Sequence, residues 1–276
     1  MRTPRICVFD PLAPGMELKL PAQAGEHLVR VLRLERGQPL VLFNGDGREY
    51  QAELIQLAKQ AVVARIISEG TAVNRESPLE LTLAQGIARG EKMDMILQKA
   101  TELGVRHIVP LITSRTEVKL DVERSGRRMA HWRAIIAGAC EQSGRAHLPS
   151  LAEPLRLPEW AAQLDDSTGL RLALDPDGRF SPRELPNLSA AVLVVGPEGG
   201  LSDQDMSQLG QSGFQGLRLG PRILRTETAG LAAIAAMQID QRIGAFVDRS
   251  ALRVAHAVVE GDDGIPSDEH DAFLCR

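Results

Sequence analysis

Two charged side chains, Arg225 and Glu227, stand directly before a strongly apolar segment at positions 229–237. Burying a charge costs free energy unless a partner or a ligand satisfies it, so this placement favours a functional role. An arginine could stabilise negative charge that develops on an acceptor, and a glutamate could take up or orient a proton. The alternative is a structural ion pair between Arg225 and Glu227 that closes the loop.

A second candidate site is the glycine-rich segment Gly196-Pro197-Glu198-Gly199-Gly200, which follows the apolar run at 191–195. Glycines after a strand let a ligand approach the backbone, and Ser202 followed by Asp205 is typical of a helix start. The segment therefore predicts a ligand site at the C-terminal end of a strand, with a plain tight turn as the alternative. It lacks the lysine of a nucleoside-triphosphate loop and the spacing of a dinucleotide loop, so neither kind of binding is supported.

Strands and helices alternate from position 79 onward, a pattern typical of a parallel sheet flanked by helices. We predict strands at 79–83, 107–111, 169–174, 190–195 and 216–219, and helices at 92–103, 127–140, 203–210 and 228–243. Each candidate segment follows one of these strands, so the sheet would present both of them from strand ends.

The first 70 residues have a different pattern, which predicts a β-meander with strands at 39–43, 48–57 and 59–67. Asn44-Gly45-Asp46-Gly47 suits a tight hairpin because these residues tolerate positive φ angles. One helix is predicted at 26–34, with Leu28, Val31 and Leu32 facing inward. His27, Arg30 and Arg33 share its other face, which could meet phosphate or could simply be exposed. A polar stretch at 71–77 ending at Pro78 predicts a linker.

The net charge of the 276-residue chain is −4, and it comes from the C-terminal tail: residues 248–276 hold three Arg and seven Asp or Glu. The rest of the chain is neutral overall, so the total charge does not exclude a nucleic-acid partner. The longest apolar runs are shorter than the roughly 20 residues that a membrane span needs. The N-terminus lacks the apolar region of a signal peptide, so we expect a cytoplasmic protein. Cys7, Cys140 and Cys275 have no metal-binding spacing, and we expect no metal.

Five motifs in order along the chain resemble a known family: Arg89-Gly90-Glu91-Lys92-Met93 and the stretches 98–105, 139–145, 196–200 and 219–228. The glycine-rich and arginine-bearing segments resemble the signature of the SPOUT class of methyltransferases. The whole set is similar to the RsmE-type family, the bacterial 16S rRNA uracil-N3 methyltransferases. Residues 25–33 are similar to the PUA-like domain of that family, so the resemblance covers residues 1–246.

The resemblance implies an α/β fold in which residues 77–247 form a SPOUT-type parallel sheet with a deep C-terminal trefoil knot. Residues 1–72 would form a small PUA-like, RNA-binding β-barrel. It further implies a homodimer that methylates N3 of a specific uridine in 16S rRNA of the small ribosomal subunit, with S-adenosyl-L-methionine as the cofactor. The acidic tail at 248–276 has no counterpart in the family pattern, and we expect it to be loosely ordered.

The resemblance also implies roles for individual residues. Catalysis is expected of Arg225, with Glu227 or Glu198 as the group that accepts or orients the proton. Cofactor binding is expected of Leu174, Gly196, Pro197, Glu198, Gly199, Gly200, Leu219, Gly220, Ile223, Leu224, Arg225, Thr226, Thr228 and Ala229. RNA binding is expected of the basic residues Arg2, Arg5, Arg30, Arg33, Arg89, Lys92, Arg115 and Arg145.

Three alternatives remain open at this point. The target could be a ribose 2′-hydroxyl or a purine nitrogen in rRNA or tRNA, or the chain could be an RNA-binding assembly factor without activity. Cys140 could act in a covalent mechanism of the kind used to methylate pyrimidine carbon. N3 is nucleophilic once deprotonated and needs no such step, so a buried core thiol is the better interpretation of Cys140.

Overall fold

The computed structural model of the chain describes residues 3–58, 61–72, 75–117, 122–165 and 168–246. Arg2 and the acidic tail at 248–276, for which we predicted RNA binding and loose order, lie outside these ranges. Among the described helices, none combines the length and the apolar character that crossing a bilayer requires.

The N-terminal domain is a five-stranded sheet with one helical segment. Its elements are β1 (Arg5–Cys7), β2 (Glu17–Lys19), α1 (Ala22–Glu26), β3 (Pro39–Phe43), β4 (Tyr50–Ala58) and β5 (Ala61–Glu69). The strand order is β1-β3-β4-β5-β2, in which only the β1–β3 pair is parallel. The predicted meander is present as β3, β4 and β5. Strands β1 and β2 were not predicted, because three residues are too few to show a period.

The prediction of a single α-helix at 26–34 is wrong in its geometry. Helix α1 passes into a π-helical turn at His27–Val31, where the Leu32 N–H donates to the carbonyl oxygen of His27 at 3.0 Å. A π-turn holds more residues per turn than an α-helix and therefore rotates the following side chains around the axis. Leu28 is buried as predicted, whereas Val31 is 64% exposed. The chain then leaves helical geometry at Arg33, whose φ is 54°.

The second domain is a sheet of seven parallel strands covered by helices. Its elements are β6 (Glu80–Gly86), α2 (Glu91–Glu102), β7 (His107–Ile112), α3 (Val122–Ser143), β8 (Ser150–Leu151), β9 (Leu155–Arg156), α4 (Leu157–Ala161), β10 (Leu170–Leu174), β11 (Ala190–Val195), α5 (Asp203–Gln211), β12 (Gln215–Leu217) and α6 (Thr226–Phe246). The order is β12-β10-β11-β6-β7-β8, and β9 also pairs with β7. The predicted α/β class with a parallel sheet is confirmed.

Strand β11 shows why the central strands have continuous apolar sequences. Leu193 and Val195 face a core formed with α2, α3 and α6, while Val192 and Val194 face a second core formed with α4 and α5. A strand buried on both faces needs an apolar residue at every position. The carboxyl ends of β10, β11 and β12 point the same way, and the loops that follow them meet at one edge of the sheet.

The two domains touch through the turn that joins β3 and β4. A Cβ on Gly47 would lie 2.4 Å from the His147 ring, and one on Gly45 would lie 2.9 Å from Leu148. Both glycines have positive φ, as predicted for the hairpin. The turn therefore needs glycine for its backbone angles and also for its close approach to the second domain.

Candidate functional site

A cavity of about 510 Å³ opens beyond the carboxyl ends of β10, β11 and β12. Two segments form most of its wall, and we call residues 196–200 the glycine turn and residues 219–225 the arginine turn. The cavity is lined by the residues for which we predicted cofactor binding, with the exception of Thr228: Leu174, Gly196, Pro197, Glu198, Gly199, Gly200, Leu219, Gly220, Ile223, Leu224, Arg225, Thr226 and Ala229. Thr228 is exposed in the first turn of α6.

The glycine turn is tight because its two ends almost touch. A Cβ on Gly196 would lie 2.6 Å from the carbonyl carbon of Gly200, so no other residue fits there. Gly200 has a φ of 71° and donates its N–H to the carbonyl oxygen of Pro197 at 2.8 Å. The predicted helix start follows, with Ser202 and Asp205 forming a reciprocal cap of α5. The turn thus exposes backbone groups to the cavity on a fixed frame.

The arginine turn ends where α6 begins, at Thr226. The N–H groups of Thr228 and Ala229 both donate to the carbonyl oxygen of Arg225, at 2.9 and 2.8 Å. The Arg225 side chain is exposed at the cavity, and within the described ranges it forms no ion pair with Glu227. The Oε2 atom of Glu227 is buried and has no hydrogen-bond partner among the described residues. The alternative of a closed Arg225–Glu227 pair is therefore not supported.

Sequence reasoning missed one residue behind the cavity, Gln85, which is the second-last residue of β6. Its side chain is 0% exposed, and its Nε2 atom donates to Thr226 Oγ1 at 3.1 Å and to the carbonyl oxygen of Gly196 at 3.3 Å. A single glutamine in an apolar strand has no periodic signal, so the sequence could have indicated it only as a polar interruption.

Glu198 differs from Glu227 because its carboxylate is already engaged. Its Oε1 atom accepts the Arg89 N–H at 3.0 Å and the Lys92 ammonium at 3.2 Å, just before and within the first turn of α2. Partial burial alone would raise the pKa of Glu198, but these hydrogen bonds outweigh it and hold the pKa below its ordinary value. A carboxylate stabilised in this way is a weaker base. Of the two predicted proton acceptors, the geometry favours Glu227.

Arg115, predicted to bind RNA, lies in the wall of the cavity. Its Nη1 atom donates to the carbonyl oxygen of Gly199 at 2.8 Å. The neighbouring Ser114 hydroxyl lies 2.6 Å from Asp205 Oδ2, which ties the loop after β7 to the cap of α5. Partial burial acts to raise the pKa of Asp205, but hydrogen bonds from Ser114 and Ser202 lower it below its ordinary value. Through its hydrogen bond to Gly199, Arg115 stabilises the glycine turn. Lys92 lines the same cavity.

Two of the residues predicted to contact RNA, Arg5 and Arg145, lie buried in structural pairs, which does not favour that role. The Arg145 side chain is 4% exposed and lies against Glu76, with Nη2 and Oε2 2.5 Å apart. Arg5 pairs with Glu49 and is similarly buried. Neither guanidinium can reach a phosphate while it satisfies these buried carboxylates. The sequence shows an arginine's charge but not its burial.

Of the other described residues predicted to contact RNA, three more lie on the surface. Arg30 is exposed and pairs with Glu26, Arg33 is exposed, and Arg89 pairs with Glu117 near the cavity. Exposed ion pairs are weak and are readily exchanged for a phosphate, so these residues stay available. Arg30 and Arg33 belong to the N-terminal domain and Arg89 to the second.

Cys140 is buried in the contact between the domains with Cys7, Phe43 and Ala137. Burial raises the pKa of Cys140 to about 11, and it raises the pKa of Cys7 to about 12. Both thiols are therefore protonated at neutral pH, and a protonated thiol is a poor nucleophile. This supports the core-thiol interpretation. Among the described residues, no group of three or more His, Cys, Asp or Glu side chains is arranged to hold a metal ion.

Comparison with known proteins gives two family matches. A profile described as an RNA methyltransferase domain matches residues 75–238, and a profile described as an RNA methyltransferase PUA domain matches residues 20–67. The chain is 33% identical to ribosomal RNA small subunit methyltransferase E of Bacillus subtilis, over 76% of this chain and 85% of that protein. It is 32% identical to the protein of the same name from Buchnera aphidicola, over 86% of this chain and 96% of that protein.

Solved structures give the same result. A Legionella pneumophila methyltransferase in complex with S-adenosylmethionine is 43% identical with a TM-score of 0.82, covering 87% of this chain and 98% of that one. Ribosomal RNA small subunit methyltransferase E from Neisseria gonorrhoeae, bound to S-adenosylmethionine, is 38% identical with a TM-score of 0.77, covering 86% and 98%. The likeness includes the PUA-like N-terminal domain as well as the parallel sheet.

Proposed function

The chain belongs to the RNA methyltransferase family, and from this membership we propose that it transfers a methyl group from S-adenosylmethionine to N3 of a specific uridine in 16S ribosomal RNA of the small subunit. One observation supports the assignment of the reaction to particular residues. The arginine turn brings to the cavity an exposed arginine and, two positions later, a carboxylate whose buried Oε2 atom has no partner among the described residues. A buried acceptor without a donor is costly unless a ligand supplies one.

The cavity suits S-adenosylmethionine in size and in chemistry. Its volume of about 510 Å³ falls in the range of roughly 300–1,000 Å³ that is typical of small-molecule sites. Apolar walls for an adenine ring are formed by Leu174, Leu217, Leu219 and Leu224. The accessible backbone of the glycine turn can form hydrogen bonds with the polar edges of the ring. Lys92 and Arg115 offer positive charge to a carboxylate, and Asp175 offers negative charge to an ammonium group.

The proposed reaction requires little covalent work from the protein. S-adenosylmethionine supplies an activated methyl group on a cationic sulfur when it is bound. Uracil N3 carries a proton at neutral pH and becomes nucleophilic as that proton leaves. In our proposal the Glu227 carboxylate accepts the N3 proton, and the Arg225 guanidinium stabilises the negative charge on the neighbouring carbonyl oxygens. Glu198 holds Lys92 and the start of α2 in place and does not take the proton.

RNA binding is proposed to spread over both domains. Arg30 and Arg33 of residues 1–72 would contact phosphates and fix the register of the RNA, while Arg89 and Lys92 of residues 77–247 would guide it at the cavity. The target base would leave its stack to enter the site. The acidic tail at 248–276 has no part in this proposal. Because the proposed substrate is ribosomal RNA, we also propose that the protein acts in the cytoplasm.

We also propose that the C-terminal part of the chain is knotted. Strand β12 lies at the edge of the sheet, yet the segment that follows it crosses to β11, where Thr226 Oγ1 donates to the Gly196 carbonyl oxygen at 2.5 Å. A deep trefoil knot is the arrangement that the family resemblance implies for such a crossing. An experimental structure that shows α6 reaching this position without threading a loop would remove this part of the proposal.

A homodimer is the proposed assembly. Helices α2 and α6 pack on each other, and each leaves a large apolar side chain in solvent: Met95 is 49% exposed and Ile239 is 58% exposed. Two exposed side chains do not by themselves mark an interface, and the family resemblance is the main support for the dimer. Light scattering on the purified protein should give the mass of two chains, and a monomeric mass at micromolar concentration would contradict the assembly.

The proposed function is tested by nucleoside analysis. The purified chain is incubated with S-adenosylmethionine and with 16S rRNA or small subunits that lack the modification, and the digested nucleosides are separated by mass spectrometry. We expect 3-methyluridine. A ribose-methylated nucleoside or a methylated purine would replace the proposed target with another one. No methylation, together with no binding of S-adenosylmethionine in calorimetry, would indicate an RNA-binding assembly factor.

A further inference from the structure

Gln85 joins the two turns of the cavity from behind, although 111 residues separate it from Gly196 and 141 residues from Thr226. Its Nε2 atom donates to the carbonyl oxygen of Gly86 at 2.9 Å, to that of Gly196 at 3.3 Å and to Thr226 Oγ1 at 3.1 Å. Thr226 Oγ1 in turn donates to the same Gly196 oxygen at 2.5 Å. One strand end, the glycine turn and the first residue of α6 therefore share one buried set of hydrogen bonds.

The two carbonyl oxygens fix the orientation of the Gln85 amide, since only its NH₂ end can donate to them. The Oε1 atom then points away and has no hydrogen-bond partner among the described residues. A buried amide with an unsatisfied oxygen is a poor choice for stability, because an apolar side chain of the same length would avoid the desolvation cost. Apolar packing alone therefore gives no reason for a glutamine at this position, and the reason must lie in the hydrogen bonds that its NH₂ group donates.

The position of the set indicates what the glutamine does. Gly196 begins the glycine turn, and Thr226 directly follows Arg225, the last residue of the arginine turn. Any change in the distance between the Gly196 carbonyl and the start of α6 would change the width of the cavity and move Arg225 and Glu227. Catalytic and binding groups must be held to a fraction of an ångström to be effective.

We propose that Gln85 is a positioning residue, which sets the separation of the glycine turn and the arginine turn so that the cavity is preformed before any ligand binds. This inference rests on the proposed function, because the cavity is taken to bind S-adenosylmethionine. Gln85 itself is fully buried and does not line the cavity, so it acts through Gly196 and Thr226.

Substitution of Gln85 tests the inference through two readouts on the full-length protein. Gln85→Met keeps the length of the side chain and removes its hydrogen-bonding contacts with Gly86, Gly196 and Thr226. Without ligand, we expect amide hydrogen exchange in peptides covering 196–201 and 220–228 to become at least tenfold faster, because the turns are no longer joined. In calorimetry, we expect the Kd for S-adenosylmethionine to rise at least tenfold.

Thr101→Val is the matched control. The Thr101 side chain is also 0% exposed and donates one hydrogen bond, to the Leu97 carbonyl oxygen at 2.7 Å. It lies nine residues along α2 from Lys92, which is roughly 14 Å at 1.5 Å per residue. We expect a fall in Tm comparable to that of Gln85→Met, with the Kd and the exchange in both turns within twofold of the wild type. Effects in Gln85→Met that also stay within twofold would overturn the inference.

A second pair of variants covers the case in which Gln85→Met does not fold. Thr226→Val removes the hydroxyl that Gln85 contacts, whereas Thr226→Ser keeps it. Without ligand, we expect the serine variant to keep the wild-type exchange rate in both turns and the valine variant to show faster exchange. Equal exchange in the two variants would overturn the inference. The exchange comparison needs no ligand, so it stays decisive even if the wild type binds no S-adenosylmethionine, which would instead contradict the proposed function.

Discussion

The Nη1 atom of Arg5 donates a hydrogen bond of 2.7 Å to the carbonyl oxygen of Cys140, which joins the first strand of the N-terminal domain to the end of α3. The same guanidinium donates to the carbonyl oxygens of Glu141 and Arg145, at 3.1 and 3.0 Å. Carbonyl groups in the last turn of a helix have unused acceptor capacity, and a cation there interacts favourably with the negative end of the helix dipole. The N-terminal domain is therefore fixed to the second domain by a buried helix cap.

Arg5→Met is expected to lower the free energy of unfolding by about 3 kcal/mol, since it removes the donor to the carbonyl oxygens of Glu141 and Arg145 and the charge partner of the Glu49 carboxylate. Urea denaturation followed by circular dichroism measures this loss. Arg65→Met removes an exposed arginine that pairs with Glu17 within the N-terminal domain, and it should leave the stability nearly unchanged. Equal losses in the two variants would show that the Arg5 contacts contribute no more than a surface pair.

Glu141 gives the same contact between the domains a pH dependence. Its Oε1 atom accepts the Cys7 N–H at 2.8 Å. Burial raises the pKa of Glu141 above its ordinary value of 4.5, although the Cys7 N–H, Arg5 and His27 act in the opposite direction. The folded chain thus holds this proton more tightly than the unfolded chain. The stabilisation is complete below pH 4.5 and is lost as the pH rises through the raised pKa.

Glu141→Gln should therefore become more stable relative to the wild type as the pH rises from about 4 to 7, because the amide can accept the same N–H without a buried charge. Urea midpoints measured at four pH values would show this trend. A difference between the two proteins that does not change with pH, or that changes in the opposite direction, would contradict the raised pKa.

The sequence predicted those features that depend only on neighbouring residues, such as an apolar run or a backbone angle that needs glycine. Strands β3 and β11 have the predicted bounds, since each is a continuous apolar run, and the glycine turn was found because its backbone demands glycine. Arg5 and Arg145 were predicted to bind RNA because residue type gives charge but not burial. Gln85 shows in the sequence only as a polar interruption of an apolar strand, since its role depends on contacts with residues more than 100 positions away.

Cys140→Ala tests whether the buried thiol takes part in the reaction. Since burial holds the pKa of Cys140 at about 11, the thiol should be an inert core group. We expect a loss of stability of about 1 kcal/mol and methyl transfer within threefold of the wild type. A loss of transfer greater than 100-fold, in a variant that still binds S-adenosylmethionine, would instead support a covalent cysteine mechanism.

The exposed arginines of the N-terminal domain are expected to supply RNA affinity. Reversal of Arg30 and Arg33 to glutamate should weaken binding to 16S rRNA at least tenfold at low salt and reduce the salt dependence, with unchanged binding of S-adenosylmethionine. Reversal of Arg48 and Arg65 changes the net charge equally on the same domain and serves as the control in filter binding. If both double variants lose affinity to the same degree, the effect is one of net charge and not of this face.

The most direct test of the account is single-turnover methyl transfer to 16S rRNA by Arg225→Ala at saturating S-adenosylmethionine, beside Arg218→Ala as an exposed arginine outside the cavity. Loss of a group that stabilises developing charge typically costs a factor of roughly 100 to 1,000. For Arg225→Ala we predict that the rate of 3-methyluridine formation falls by a factor of that size. For Arg218→Ala we predict a rate within threefold of the wild type. Transfer by Arg225→Ala at the wild-type rate would contradict the assignment of the arginine turn as the reacting site.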